Sequence, residues 1–215
     1  MEGPKMVEEL LNSKYAVRRL FATKEWISEH SVNGPFPEEV NEAELTRISC
    51  LQTPNQVLAL VEQKDPPDEP VLEGKLTLVL DGIQDPGNFG TIIRIADWFG
   101  IDQIVAGDNT VELYNPKTIQ ATMGSFMRVN CWYRHLSDFL QSVKIPVYGA
   151  LLEGKSMYEP INFTEGLLLI GNEGRGIDAH LLKYISDPIT IPRMGKAESL
   201  NAAVATGILV AHLKK

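Results

Sequence analysis

The chain has 215 residues, 44% of them apolar, which is enough for one large domain or for a small module ahead of a medium one. Its formal net charge of −8 argues against a protein that grips nucleic acid by bulk attraction, since phosphate contacts need Lys and Arg to displace counterions. No apolar run approaches the ~18 residues that cross a bilayer, and the opening MEGPKMVEEL is acidic where a secretory signal is basic and then apolar, so a cytosolic protein is expected.

In chain order, helix-like MVEELLNS, strand-like AVRRLFAT, helix-like NEAELTRISCL behind a cap at Asn41, and strand-like QVLALVEQ predict a small α/β module over residues 1–63. The composition then breaks at KDPPDEPVLEG, residues 64–74, where prolines and acids replace apolar periodicity, and this reads as a linker. From 75 to 215, LTLVLDG, DQIVAG, IPVYGALL and LLLIG read as short buried strands separated by helical stretches, the pattern of a parallel sheet covered by helices. The last segment, ESLNAAVATGILVAHLKK, has helical spacing and two lysines at the end that the helix dipole favours.

Acidic residues crowd the N-terminal third, whereas Arg94, Lys117, Arg128, Arg134, Arg175, Arg193 and Lys196 lie beyond it, so a local basic surface is compatible with the negative total. Cys50 and Cys131 are far apart with no CxxC partner and the four histidines are scattered, which predicts neither a disulfide framework nor a metal site.

Three loops carry the candidate chemistry. After LTLVLDG, residues Pro86, Gly87, Asn88 and Gly90 read as a turn at a strand's C-terminal end, the edge where α/β sheets bind ligands, with Arg94 about one helical turn further on. Taken alone this is equally a βα loop whose glycines solve a backbone problem. After LLLIG, Gly171, Asn172, Glu173, Gly174, Arg175 and Gly176 form a segment too glycine-rich for helix or strand, able to let a ligand approach and to leave amides free to bond it. It fits neither GxGxxG nor GxxxxGK[ST], which disfavours a nucleotide-phosphate site and a dinucleotide enzyme. Finally, an irregular Pro192 to Ala197 loop precedes Ser199 and Asn201, which read as cap and first-turn residues of the last helix; an ordinary N-cap is the plain alternative.

Together NFGTIIR (Asn88 to Arg94), IGNEGRGI (Ile170 to Ile177) and IPRMGKAESLN (Ile191 to Asn201) resemble the three motifs of the TrmH, or SpoU, family of RNA 2′-O-methyltransferases in the SPOUT superfamily. The resemblance runs from about Leu76 to the C-terminus and includes KTIQATMGSFMRV; it departs where relatives often have Met directly after the Pro and this chain has Arg193 then Met194. The first module is more loosely similar to the family's L30-like RNA-binding domain, and its EGPK lies at the start of the chain, where relatives carry a further segment.

The resemblance implies an α/β parallel-sheet methyltransferase domain with a C-terminal trefoil knot, a homodimer, and S-adenosylmethionine held at Gly171, Ile191 and Leu200, with Ile177 and Met194 as neighbours. It implies Arg94 as the residue acting on the 2′-hydroxyl, Asn88 orienting Arg94 or the ribose, Glu173 fixing the loop or Arg94, and Ser199 and Asn201 shaping the site. The implied substrate is structured RNA, rRNA (23S) in preference to tRNA, with no metal and no membrane; the rival is a non-catalytic RNA-binding or ribosome-assembly factor of the same fold.

Overall fold

The computed structural model describes residues 1–31, 35–161 and 163–214; of the two terminal lysines, Lys215 lies outside the described residues. The N-terminal module contains α1 (Pro4–Leu11), β1 (Val17–Ala22), α2 (Lys24–Glu29), β2 (Glu38–Glu39), α3 (Glu42–Ile48) and β3 (Val57–Val61). β1 is central, parallel to β2 and antiparallel to β3. α3 starts where Asn41 predicts, because Asn41 accepts from the Glu44 amide while the Glu44 carboxylate accepts from the Asn41 amide, a reciprocal cap. Val7, Leu10, Leu20, Trp26, Val57 and Ala59 form a small core. Sequence reading missed α2 and β2: the first is too short to show periodicity, the second is two exposed glutamates.

The larger part comprises β4 (Leu76–Leu80), α4 (Pro86–Trp98), β5 (Gln103–Gly107), α5 (Pro116–Thr122), β6 (Asn130–Arg134), α6 (Leu136–Ser142), β7 (Val147–Ser156), β8 (Gly166–Ile170), β9 (Asp187–Thr190) and α7 (Ala202–Leu213). Its six strands run parallel in the order β6-β5-β4-β8-β7-β9. Every residue of β4, β5 and β8 is buried, as expected of central strands covered on both faces. β6 and β9, which the apolar pattern did not reveal, are the two edges; NCWYR carries polar residues, and DPIT is short and opens with an acid and a proline.

One face packs under α4 and α7, with Leu78, Leu80, Ile92, Ile93, Ala203 and Leu209 in a shared core; the other packs Val79, Val105, Leu167 and Leu169 against Leu136 and Leu140 of α6. Residues 64–74, expected as a linker, lie along the large domain and are hydrogen-bonded to it.

The expected turn at Pro86 to Gly90 is already helix. Asp85 is the N-cap, accepting from the Asn88 amide at 2.7 Å, and Pro86 occupies the first turn, where its missing N–H costs nothing. Gly90 therefore serves a helix contact: an added Cβ would lie 2.5 Å from the Ala121 Cβ and 2.8 Å from the Thr118 carbonyl oxygen on α5. Gly90→Ala is expected to lower unfolding free energy by about 1–3 kcal/mol despite its better helix propensity, because the obstruction includes backbone. A urea-unfolding midpoint equal to or above that of the unaltered protein would contradict this packing.

Candidate functional site

β4 and β8 are parallel neighbours, and after them the chain leaves in opposite directions, from β4 through α4 toward β5 and from β8 toward β9 beyond β7. Such a divergence opens a crevice at the strands' C-terminal ends. The loops after β4, β8 and β9 all come to it.

A short polar relay joins the three. The Asn201 side-chain oxygen caps α7 by accepting from the amides of Ala203 at 2.9 Å and Val204 at 3.2 Å. Its side-chain nitrogen must then face outward, and it donates to the Asn88 oxygen at 2.8 Å. That leaves the Asn88 nitrogen to donate to Glu173 Oε1 at 3.0 Å. A carboxylate accepts only, so each amide orientation follows from the cap at one end and the acid at the other. Asn88, Glu173 and Asn201, drawn from distant stretches of chain, thus meet in one place.

The Gly171–Gly176 segment is a tight turn closed by reciprocal backbone bonds between Asn172 and Gly176, each 3.0 Å. The Asn172 side-chain oxygen accepts from the amides of Gly174 and Arg175, so those two amides, like that of Gly176, are engaged internally rather than left free for a ligand as the glycine content suggested. Gly171 is required by close approach: a Cβ there would lie 2.2 Å from Gly176 C and Ile177 N.

Asp81, which sequence reading passed over, holds this turn together with Asn172. Asp81, buried at the end of β4, accepts from the Asp178 amide at 2.7 Å and lies 3.9 Å from an Arg175 nitrogen. The Asn172 side chain donates to the Gly82 carbonyl at 2.7 Å. The available signal was a single charge closing the apolar run of LTLVLD.

Beside the relay is a cavity of about 690 Å3, within the ~300–1,000 Å3 range usual for small-molecule sites. Gly171, Ile177, Ile191, Met194 and Leu200 all line it. So do Glu173 and Ser199. Ser199 is not the helix cap it was read as; Asn201 takes that role and Ser199 lies in the irregular approach to it. Asn88 and Asn201 adjoin the cavity through Glu173 without lining it.

Arg94 stands apart. It lies on the exposed side of α4 and has no hydrogen-bond or ion-pair partner among the described residues; Asn88 and Glu173 bond each other instead of orienting it. Six residues beyond Asn88, it is turned roughly 240° around the helix, so the two cannot share a face. Trp98, 85% exposed, follows Arg94 by one turn.

Cys50 is exposed and Cys131 buried, both free; burial pushes the Cys131 thiol up to about 12, against a hydrogen bond with Tyr133 that works the other way. Among the described residues no group of three or more His, Cys, Asp and Glu is placed to hold a metal ion, and no helix is long and apolar enough to cross a membrane.

The profile of the SpoU rRNA Methylase family matches residues 75–211. The chain belongs to that family. Over its whole length it is 35% identical to the 23S rRNA (guanosine(2553)-2′-O)-methyltransferase RlmP of Bacillus subtilis, covering 87% of that protein. The AdoMet-bound rRNA methyltransferase of Sinorhizobium meliloti superposes with a TM-score of 0.85 at 30% identity, covering 100% of this chain and 85% of that one. The SpoU methyltransferase AviRb of Streptomyces viridochromogenes, in complex with AdoMet, gives 0.85 at 25% identity over 100% and 88%.

Because Asn201 both caps α7 and donates into the relay, the two roles separate by substitution. Asn201→Ala should cost about 1–2 kcal/mol of stability, the usual value of a lost cap, whereas Asn201→Asp should recover at least half of it. Chemical denaturation of both variants is the check, and equal losses would deny the cap its role.

Proposed function

We propose that this protein transfers a methyl group from S-adenosylmethionine to a ribose 2′-hydroxyl of structured RNA in the cytoplasm, with 23S rRNA preferred to tRNA. The observation that carries the reading is the convergence of the three loops on one cavity, locked by the Asn201–Asn88–Glu173 relay. The named activities of the relatives support it, the Bacillus subtilis protein being a 23S rRNA methyltransferase matched along the full chain.

The cavity suits the cofactor. Ile177, Ile191, Met194 and Leu200 offer an apolar lining for a heteroaromatic base, and Gly176 and Gly195, with open space where a side chain would be, leave room beside the backbone. Gly171, Ile191 and Leu200 would hold it, with Ile177 and Met194 adjoining. Bound S-adenosylmethionine supplies an electrophilic methyl group on a sulfonium centre.

The chain's task is to hold the ribose oxygen in line and to stabilise the charge it gains as its proton leaves. Arg94 serves as that fixed cation. A guanidinium stays protonated at any working pH, so Arg94 is not the base, and the proton passes to an RNA phosphate or another acceptor. Glu173, held by Asn88, keeps the loop after β8 in place, and Ser199 shapes the cavity wall.

The same reading includes a homodimer in which Arg94 serves the partner's cavity. α7 is apolar around its whole circumference, yet Val204 is half exposed, and with Trp98 and Arg94 of α4 it marks a face that a second copy would cover. The bond from Asn201, after β9, back to Asn88, after β4, supports the family's threaded C-terminal knot.

Arg94→Ala should lower methyl transfer to ribosomal RNA by at least about 10²-fold, the scale of a lost charge-stabilising group, with calorimetric affinity for S-adenosylmethionine unchanged. Near-normal turnover would remove Arg94 from the mechanism. Mixing Arg94→Ala with the cavity-filling Gly195→Trp, placed where the cavity lining has open space, should restore on the order of a quarter of full activity, since each mixed dimer then holds one intact site. No recovery on mixing would confine Arg94 to its own subunit.

A further inference from the structure

Residues 62–74 carry the chain between the two sheets, and their three prolines and repeated acids have the composition of a loose tether. The structure fastens them instead. Tyr114 binds Lys64 twice, its hydroxyl accepting from the Lys64 amide at 2.9 Å and donating to the Lys64 carbonyl at 2.7 Å. The Trp132 ring N–H donates to the Pro67 carbonyl at 2.6 Å, and Arg134 donates to the Asp68 carbonyl at 2.9 Å. The buried Gln103 amide grips Val71 from both sides, accepting from its N–H at 2.8 Å and donating to its C=O at 2.7 Å, as a paired strand would. Leu72 packs on the core formed with α6, and the Gly74 amide donates to Glu165 at 2.6 Å.

Three of these anchors, Gln103, Trp132 and Arg134, have a common origin in the sheet. The register sets Gln103 and Val105 on one face of β5 and Trp132, beside Val105, and Arg134 on the same face of β6. A parallel sheet must have that face covered, and the strap supplies part of the cover.

The module is clasped a second time, against the segment that follows α5 and the end of α4. Arg128 takes the Asp97 carboxylate with two nitrogens and reaches Glu9 of α1 with a third, at 3.0 Å. Met6 of α1 joins the core of the large domain, and Tyr15 meets Phe126 edge-on at 5.4 Å between ring centres. Gly124, at φ +91°, lets the Glu9 carboxylate come within 2.3 Å of where a Cβ would be.

We propose that the strap and the Arg128 clasp fix the N-terminal module at one separation and angle from the cofactor cavity, so that the two parts gauge RNA: they methylate only where a recognised element and the target ribose stand at the matching spacing. This rests on the methyl-transfer reading above and adds to it how a substrate is selected. A slack tether lets the module bind RNA at many distances from the cavity and lowers the effective concentration of the correct ribose. A rigid connection removes that slack, and an RNA of wrong spacing must itself deform. Gln103, Tyr114, Arg128, Trp132 and Arg134 are then positioning residues, none of which touches the reacting atoms.

The test compares two RNAs: a 23S rRNA transcript containing the nucleotide equivalent to guanosine 2553, and a short oligonucleotide around that nucleotide, too small to reach the module. In the Tyr114→Phe/Arg128→Ala/Arg134→Ala variant, the preference for the transcript, as a ratio of kcat/KM values, should fall at least about tenfold. Turnover of the oligonucleotide and affinity for S-adenosylmethionine should stay within about twofold, since neither uses the gauge. Amide exchange at Lys64 and Val71 should quicken. General destabilisation would lower both RNAs together; if the triple variant loses cofactor binding, Tyr114→Phe/Arg134→Ala is read in its place. An unchanged ratio with quickened exchange would overturn the gauge alone, as would unchanged exchange. Failure of the unaltered protein to methylate either RNA would overturn the functional reading and the gauge with it.

Discussion

The site depends on one chain of three side chains. Asn201 can direct its nitrogen to Asn88 only because two helix-end amides claim its oxygen, and Asn88 can reach Glu173 only because Asn201 has claimed its own oxygen. The start of α7, the first turn of α4 and the turn after β8 therefore hold one another in register. Around this relay the turn from Gly171 to Gly176 is stiffened by Asn172 and Asp81, so the cavity wall is preorganised rather than left to a ligand to form.

Charge is distributed in keeping with that arrangement. In the N-terminal sheet Arg18 pairs with Glu62 and Arg19 with Glu38, while Arg128 and Lys75 pair with acids that help to hold the fold together. Arg94, like Arg47 and Arg193, has no carboxylate partner among the described residues, although acids outnumber bases in the chain. A net charge of −8 thus coexists with arginines that no carboxylate holds, because surface pairing neutralises other arginines locally while the total says nothing of their placement.

Much of the fold was legible where physical periodicity is strong. LTLVL, QIVAG and GLLLI are continuous apolar runs that only central parallel strands keep buried on both sides, and Asn41 announces a helix start. The edge strands β6 and β9 were not legible, since an edge tolerates Asn, Arg, Asp and Pro. Nor was the strap, whose prolines describe its backbone stiffness but not the Gln103, Trp132 and Arg134 side chains that receive it.

The sequence by itself determined the chemistry available: three polar, glycine-bearing loops, two of them after apolar strands, the family they resemble, and residues that came to line the cavity. Only the tertiary structure decided which of them meet. Asn88 and Glu173 are 85 positions apart, and Asn88 and Asn201 are 113 apart. Local spacing cannot encode contacts at such separations, because they arise from strand order, from β8 inserting beside β4 and α7 returning onto α4. The same holds for Arg94, six residues beyond Asn88 in one motif, which the helix turns to a different, exposed face.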